Sequence, residues 1–147
     1  MTYTIKEVAA KTNLSIYTLR FYDKQGLLPF VARNKSGYRE FTEGDLNLLQ
    51  TICCLKNTGM KIKNIRQYIE YVMAGPTTVE LRLKLLTDHR LEVVAQQQKI
   101  QQNLAEVDYK INMYAAPNAE TSVARELAFA TAEKKANHLP NPYQMTK

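Results

Sequence analysis

Residues 4–26 read TIKEVAAKTNLSIYTLRFYDKQG and encode two short helices with a turn between them. Thr4 and Glu7 have the spacing of a capping box, in which each side chain satisfies a backbone amide at the start of a helix. The first helix is predicted to end near Lys11, and Ser15 is placed to cap the second. Two helices joined by such a short turn match a helix-turn-helix, although this spacing alone also fits an ordinary αα-hairpin.

The second helix is predicted to be amphipathic over residues 16–24, and Gly26 stops it. Ile16 and Leu19 fall on its inner face at helical spacing. The side chains left pointing toward solvent are those of Tyr17, Thr18 and Arg20.

A hairpin with basic flanks, which we call the wing, is predicted over residues 31–41 (VARNKSGYREF), where two β-prone stretches flank an Asn-Lys-Ser-Gly turn. A third helix is predicted over residues 42–57, before a Thr-Gly break. Apolar residues at helical spacing mark a fourth helix: Ile62, Ile65, Tyr68, Ile69 and Val72. Gly75-Pro76 closes a compact winged helix-turn-helix domain over residues 1–75.

One long helix is predicted to follow over residues 77–115, with Thr77 and Glu80 as a further capping box. Alternating steps of four and three residues define a heptad seam, which consists of Val79, Leu83, Leu86, Arg90, Val93, Gln97, Ile100, Leu104, Val107, Ile111 and Tyr114. Such a helix spans roughly 50 Å and cannot bury this seam alone, so we predict a partner helix. The alternative is that the seam packs on its own N-terminal domain.

The remaining residues, 116–147, are predicted to form a weakly structured tail with one short helix around residues 123–135. Charge separates this half of the chain from the first. The 147 residues carry a formal net charge of +6, of which residues 1–73 contribute +5. The basic N-terminal half therefore suits a polyanionic partner.

Composition also bounds the location and the redox state. No run approaches the ~18–20 apolar residues that span a bilayer, and the start does not resemble a signal sequence. We therefore expect a cytoplasmic protein without membrane contact. Cys53 and Cys54 are the two cysteines, and adjacent cysteines on a helix rarely bond each other, so a disulfide framework is excluded and reduced thiols are expected.

Several motifs taken together resemble the MerR family of transcription regulators. They are residues 3–9 (YTIKEVA), 18–23 (TLRFYD), 26–28 (GLL), 36–39 (SGYR) and 55–60 (LKNTGM). The resemblance covers residues 3–75, and the order of helix-turn-helix, wing, helix pair and coiled coil extends it to about residue 115. It implies a mainly α fold, in which a winged helix-turn-helix DNA-binding domain is followed by a long coiled-coil dimerisation helix.

The resemblance also implies which residues contact DNA. In that family the second helix enters the major groove and the wing follows the adjacent backbone. It thus implies base contacts by Tyr17, Thr18 and Arg20, since an arginine can donate two hydrogen bonds to a guanine edge. It implies phosphate contacts by a second set of hydroxyl and cationic side chains: Tyr22, Arg33, Tyr38, Arg39 and Lys61. The alternative for each residue of the second set is a core or solvated position.

An antiparallel coiled coil joins two subunits in MerR proteins. The resemblance therefore implies a homodimer held by the apolar residues of the seam, and a pseudo-palindromic operator in promoter DNA. Family members bend and untwist an over-long promoter spacer when the effector arrives, so that RNA polymerase can engage both promoter elements. RNA polymerase is thus an indirect partner, reached through the promoter.

The pattern of histidines and cysteines argues against a metal signal. Metal-sensing relatives carry cysteine ligands on and after the long helix, but here no cysteine follows Cys54, and His89 and His138 stand alone. We therefore expect no metal site and no cofactor. We expect His89 to be a solvated or interface residue.

The two cysteines are predicted to differ. A helical wheel places Cys53 at the edge of the apolar face, as a small core residue, and Cys54 on the opposite side. Cys54 also matches the position of the single cysteine in a MerR subgroup that responds to aldehydes and other electrophiles. Whether Cys54 is such a stress sensor or a bystander stays open, and another small-molecule effector is the alternative signal.

The sequence also bears on two other classes of protein. A coiled-coil adaptor that does not bind DNA is the alternative, with the basic domain serving a protein partner. An enzyme is not expected, since the sequence has neither a Ser-His-Asp or Cys-His signature nor a phosphate-binding glycine loop.

Overall fold

The computed structural model describes residues 1–143 and is mainly helical, as the sequence predicted. Its elements run in the order α1 (Ile5–Thr12), α2 (Ile16–Lys24), β1 (Ala32–Arg33), β2 (Arg39–Glu40), α3 (Glu43–Asn57), α4 (Ile62–Met73), α5 (Val79–Ala115) and α6 (Ala119–Ala136). A 3₁₀ turn at Pro76–Thr78 separates α4 from α5. The chain divides into two compact units, residues 1–95 and residues 96–147.

Side chains cap α1 and α3 as the sequence indicated. Thr4 Oγ1 accepts a hydrogen bond from the Glu7 amide at 3.2 Å, and a Glu7 carboxylate oxygen accepts one from the Thr4 amide at 2.7 Å. Thr42 and Asp45 repeat this arrangement at 3.3 and 2.9 Å. Both boxes satisfy amides that a helix end otherwise leaves unpaired, and each contributes about 1 kcal/mol.

A single hydrophobic core holds the helix-turn-helix, the wing base and the α3–α4 pair together. Its fully buried members come from every one of these elements: Val8, Leu19, Leu27, Leu28, Phe41, Leu49, Ile52, Ile65 and Ile69. A backbone bridge between Tyr3 and Phe41 joins the N-terminus to the end of the wing. The core thereby fixes α2 and the wing on one rigid support.

The wing is the predicted hairpin, with strands of two residues each. β1 and β2 pair antiparallel with Arg33 opposite Arg39. The Asn34 carboxamide oxygen accepts hydrogen bonds from two amides of the turn, each at 3.0 Å. Gly37 adopts a φ of 84°, a left-handed conformation that glycine tolerates because it lacks a Cβ.

The start of α5 differs from the predicted capping box at Thr77 and Glu80. The 3₁₀ turn occupies this segment, and Thr78, not Thr77, is the buried residue there, donating from Oγ1 to the Tyr71 carbonyl at 2.5 Å. Arg82 adds a hydrogen bond from Nη2 to the Gly75 carbonyl at 2.7 Å. Arg82 Nη2 also donates to the Tyr71 carbonyl at 3.2 Å, so Thr78 and Arg82 together cap a carbonyl in the last turn of α4.

The first part of α5, within residues 79–95, packs on the N-terminal domain. Leu85 and Leu86 lie against the hydrophobic core, and His89 is buried. Val79 and Leu83 remain exposed, at 56% and 65% of their surface. The domain therefore covers a face of α5 next to the seam and leaves part of the seam in solvent.

The second unit contains the rest of α5 and the helix α6. α6 begins four residues earlier than the predicted short helix and ends at Ala136. The apolar seam residues of α5 in this unit are all exposed: Ile100, Leu104, Val107, Ile111 and Tyr114. Helix α6 therefore leaves these side chains uncovered.

Candidate nucleic-acid interface

α2 displays one polar face because its other face is anchored in the core. Leu19 is fully buried, whereas Tyr17 is 79% exposed and Arg20 is exposed on the same short helix. Thr18 is half-buried, and its Oγ1 lies 2.8 Å from the hydroxyl of Ser15, whose Oγ also accepts from the Thr18 amide at 3.0 Å. The three predicted base-reading residues thus lie at the start and middle of α2, with Thr18 the least accessible.

A cleft of about 250 Å³ lies between the start of α1, helix α2 and the wing. It is lined by four of the residues that the sequence singled out: Arg20, Arg33, Tyr38 and Arg39. Tyr38 is 73% exposed at the tip of the wing, and its hydroxyl is free to reach outward. The tertiary structure therefore brings together a base-reading candidate and three phosphate-contact candidates that are up to 19 positions apart in sequence.

One carboxylate holds two of these arginines. Asp23 Oδ2, on the last turn of α2, accepts from Arg39 Nε at 2.8 Å and from Arg39 Nη2 at 2.5 Å. The same oxygen accepts from Arg33 Nη2 at 3.4 Å, and Arg33 Nη1 donates to the Gly37 carbonyl at 2.8 Å. Asp23 was not among the predicted site residues, because no pattern in the local sequence indicates that an acid on α2 pairs with the wing.

Two other predicted phosphate contacts have different surroundings. Tyr22 is only 6% exposed and belongs to the core, where burial raises its pKa. The Tyr22 ring therefore has the core position that was the alternative to a phosphate contact. Lys61 is exposed at the start of α4, but it lies outside the cleft between α2 and the wing. It lines a second cleft, of about 370 Å³, together with residues of α5 that include Asp88 and His89.

Two arginines outside the predicted set donate hydrogen bonds to carbonyls at helix ends. Arg66, on α4, donates from Nε to the Gln25 carbonyl at 2.7 Å, at the end of α2. Arg82 does the same for α4. The last carbonyls of a helix are unpaired, so a basic side chain can cap them. Which helix a given arginine caps becomes known only from the tertiary structure.

The two cysteines lie as the helical wheel predicted. Cys53 is half-buried against the core, and burial, followed by the neighbouring Cys54, raises the pKa of its thiol. Cys54 is exposed. The Cys54 carbonyl accepts hydrogen bonds from the Thr58 amide at 3.1 Å and from Thr58 Oγ1 at 2.8 Å, so the turn that carries Cys54 closes on Thr58.

His89 was expected to be a solvated or interface residue, and the structure excludes the solvated alternative. It is 9% exposed, and its Nε2 lies 2.7 Å from Thr58 Oγ1, at the end of α3. The side chain therefore connects α5 to the α3–α4 turn. Its burial escaped sequence analysis because His89 lies beside the seam, and the seam indicated nothing about the face next to it.

Across residues 1–143 there is no group of three or more His, Cys, Asp or Glu side chains arranged to hold a metal ion. Within the same part of the chain, no helix is long and apolar enough to cross a membrane.

Two family models match the chain. The model described as "MerR HTH family regulatory protein" matches residues 3–72, and the one described as "MerR, DNA binding" matches residues 46–109. Between them they cover the helix-turn-helix, the wing, the α3–α4 pair and most of α5. The matched regions therefore include every residue of the arginine-lined cleft.

Individual relatives agree with the family models. An HTH-type transcriptional regulator of Haemophilus influenzae is 43% identical over 123 residues, which cover 84% of this chain and 91% of that protein. Among solved structures, HiNmlR, "a MerR family regulator lacking the sensor domain, bound to promoter DNA", is 44% identical with a TM-score of 0.73, over 78% of this chain and 90% of its own. A MerR family regulator from Bacillus thuringiensis is 45% identical with the same TM-score, over 78% of this chain and 100% of its own. This chain belongs to the MerR family of DNA-binding transcription regulators.

Proposed function

We propose that the chain acts as a homodimer on a pseudo-palindromic promoter operator and activates transcription by distorting the DNA, with RNA polymerase engaged through the promoter. The observation that carries this proposal is the convergence of Arg20, Arg33, Tyr38 and Arg39 on one cleft beside the exposed face of α2. A helix face that can enter the major groove lies next to cationic and hydroxyl groups suited to phosphates.

Base reading falls to Arg20 and Tyr17, which are exposed, with Thr18 the less accessible third candidate. Phosphate contacts come from Arg33 and Tyr38 in the wing, and from Lys61 on the flank. Tyr22 and Arg39 reach phosphates only with the small parts of their side chains that stay exposed. This division is a proposal about roles and follows from accessibility, since a buried or ion-paired group has fewer donors left for DNA.

Dimerisation is proposed from the exposed seam of α5. Five apolar side chains on one face are each more than half exposed, at 66, 54, 51, 57 and 56% for Ile100, Leu104, Val107, Ile111 and Tyr114. Burying apolar surface contributes about 25 cal/mol per Å², and a second copy of the same seam supplies a matching face. An antiparallel pair of such helices would display two copies of α2 on one side of a duplex.

Binding tests separate a DNA-binding regulator from a coiled-coil adaptor. An operator is first selected from random duplexes and its affinity is measured by fluorescence anisotropy across a salt series. A regulator loses affinity steeply as salt rises, because each phosphate contact releases counterions. Flat or absent binding would support the adaptor instead.

Arg20→Ala tests base reading within the same assay. We expect it to weaken operator binding by about 1–3 kcal/mol and to relax the preference for one base pair in each half-site. Tyr38→Phe is the matched comparison: it removes one wing hydroxyl and should weaken all duplexes equally. If Arg20→Ala weakened selected and random duplexes to the same extent, Arg20 would not read a base.

We further propose that the signal is thiol-reactive and that Cys54 receives it. The Cys54 thiol is exposed on α3. The related HiNmlR is described as a MerR family regulator lacking the sensor domain. On reaction with an aldehyde, the thiolate forms a C–S bond to the carbonyl carbon and the carbonyl oxygen takes up a proton, giving a hemithioacetal.

Cys54→Ser and Cys53→Ser form a matched pair for testing the sensor. We expect Cys54→Ser to abolish reporter induction by aldehydes and quinones, and Cys53→Ser to retain it. Mass spectrometry of the treated protein should find the adduct on Cys54. Unchanged induction in Cys54→Ser would remove the thiol from the mechanism and would favour another small-molecule effector.

The pH dependence of alkylation provides a separate check on the two thiols. Because burial raises the pKa of Cys53, less of it is thiolate at a given pH, and only the thiolate reacts. In the Cys54→Ser variant, iodoacetamide should therefore modify Cys53 slowly at neutral pH and faster as the pH rises above the ordinary thiol range. Rapid modification of Cys53 at pH 7 would contradict this assignment.

A further inference from the structure

The Asp23 carboxylate is an unexpected group on this surface. It lies at the end of α2, beside a cleft lined by three arginines, where DNA phosphates are expected. A negative charge at such a place repels phosphates and lowers the field of the arginines around it. We therefore expect Asp23 to favour DNA binding in another way that offsets this repulsion.

The contacts of Asp23 differ for the two wing arginines. Arg39 places both Nε and Nη2 on Asp23 Oδ2, at 2.8 and 2.5 Å, and its side chain is only 20% exposed. Arg33 makes one long contact with Asp23, at 3.4 Å, donates from Nη1 to the Gly37 carbonyl at 2.8 Å, and has a side chain that is 51% exposed. Arg39 is thus held by two charge-assisted hydrogen bonds in a partly buried place, whereas about half of the Arg33 side chain stays accessible.

We infer that Asp23 is a positioning residue for DNA binding: through Arg39 it locks the wing to α2, so that Arg33 and Tyr38 meet the phosphates next to the groove that α2 enters. Strands of two residues each supply few backbone hydrogen bonds to hold the wing in one orientation. The Asp23–Arg39 pair supplies a cross-link between the two DNA-contacting elements. Arg39 is accordingly the anchor of the wing, and Arg33 is its phosphate ligand.

The sign of the effect distinguishes this role from a simple change of charge. Asp23→Asn and Glu40→Gln each remove one negative charge from residues beside the same cleft, but Glu40 makes no contact with either arginine side chain among the bonds found in residues 1–143. Charge alone predicts that both variants bind DNA more tightly. Positioning predicts that Asp23→Asn binds about 10-fold more weakly, the scale of one charge-assisted pair, while Glu40→Gln binds equally or more tightly.

Affinity and its salt dependence are measured by anisotropy on the selected operator for both variants. With a displaced wing, Asp23→Asn should lose about one phosphate contact from the salt slope, a change that altered stability alone does not produce. Circular dichroism verifies that each variant is folded at the assay temperature. If Asp23→Asn does not fold, Arg39→Lys replaces it, since lysine keeps the charge but cannot form the Nε–Nη2 fork.

A double-variant cycle completes the test. If Arg39 acts through Asp23, Arg39→Lys should weaken the wild type about 10-fold and add little to Asp23→Asn. Arg33→Gln should lower the salt slope in the wild type by about one phosphate contact. Equal gains in affinity for Asp23→Asn and Glu40→Gln, or additive losses for Asp23 and Arg39, would overturn the inference.

Discussion

The two parts of α5 carry the same heptad pattern but have different surroundings. Before residue 96, Leu85, Leu86 and His89 pack on the N-terminal domain. From residue 96 onward, the apolar seam residues are all exposed. A heptad repeat thus identifies an apolar face but not what covers it, since burial depends on which other surfaces pack against that face.

The covered face in the first part is also not the seam itself. Leu85 and His89 are not seam positions, and among the seam residues that we predicted there, Leu86 alone packs against the core. Val79 and Leu83 stay exposed beside them. The start of this helix therefore has one side packed on its own domain and the adjacent side exposed to solvent.

The largest expected effect comes from charging the exposed part of the seam. Ile100→Asp combined with Leu104→Asp should convert the proposed dimer to a monomer, because two carboxylates cannot be buried without partners. Sedimentation equilibrium measures the mass. Binding to a two-half-site operator should fall by about 100-fold or more, or roughly 2.7 kcal/mol.

Leu91→Asp is the matched control for the seam variant. Leu91 is 64% exposed on α5 but lies on the side opposite the seam. It should leave the dimer intact. A double seam variant that remained dimeric would show that dimerisation uses another surface.

A smaller effect is expected where α5 meets its own domain. Leu86→Ala removes a side chain that packs against the core and should lower the free energy of unfolding by about 2 kcal/mol, near the low end for a leucine because Leu86 is only half-buried. Urea denaturation followed by circular dichroism measures it. Leu83→Ala, at an exposed seam position, should change the stability of the monomeric seam variant by less than about 0.5 kcal/mol. Equal losses for the two leucines would break the proposed distinction.

The smallest effect concerns the hydrogen bond between Thr58 and His89. Thr58→Val preserves the shape of the side chain but removes the hydroxyl that lies 2.7 Å from His89 Nε2 and donates to the Cys54 carbonyl at 2.8 Å. The loss of these contacts should cost about 1–2 kcal/mol of stability. Thr58→Ser retains the hydroxyl and should recover most of that loss. Denaturant unfolding compares the two variants, and a loss for Thr58→Ser as large as that for Thr58→Val would contradict the assignment of the effect to the hydroxyl.

Sequence analysis predicted much of the fold because its signals are local. The capping box at Thr4, the start of the third helix at Thr42, the wing turn and the opposed positions of Cys53 and Cys54 each depend on spacing over a few residues. It was wrong about the capping box at Thr77, where a buried Thr78 and Arg82 close the end of α4 instead. This capping could not be predicted from a local motif, because Arg82 lies seven positions from Gly75, whose carbonyl it binds.

Only part of the environment of the candidate site could be predicted from the sequence. Tyr17, Arg20, Arg33 and Tyr38 are exposed, as the proposed DNA contacts require. Tyr22 and Arg39 were indistinguishable from them in sequence, since a tyrosine or arginine within a motif has the same chemistry whether it is buried or exposed. Their assignment requires the neighbours that cover Tyr22 and the acid that pairs with Arg39.

By itself, the sequence determined the helices, their apolar faces and the membership of the chain in a family of DNA-binding regulators, because periodicity, capping and ordered motifs act over short distances. Only the tertiary structure decided which charged groups pair and which faces are covered. Asp23 meets Arg39 across 16 positions, and Thr58 meets His89 across 31. Such contacts depend on how separate elements pack on one core, and no local pattern of residues encodes that geometry directly.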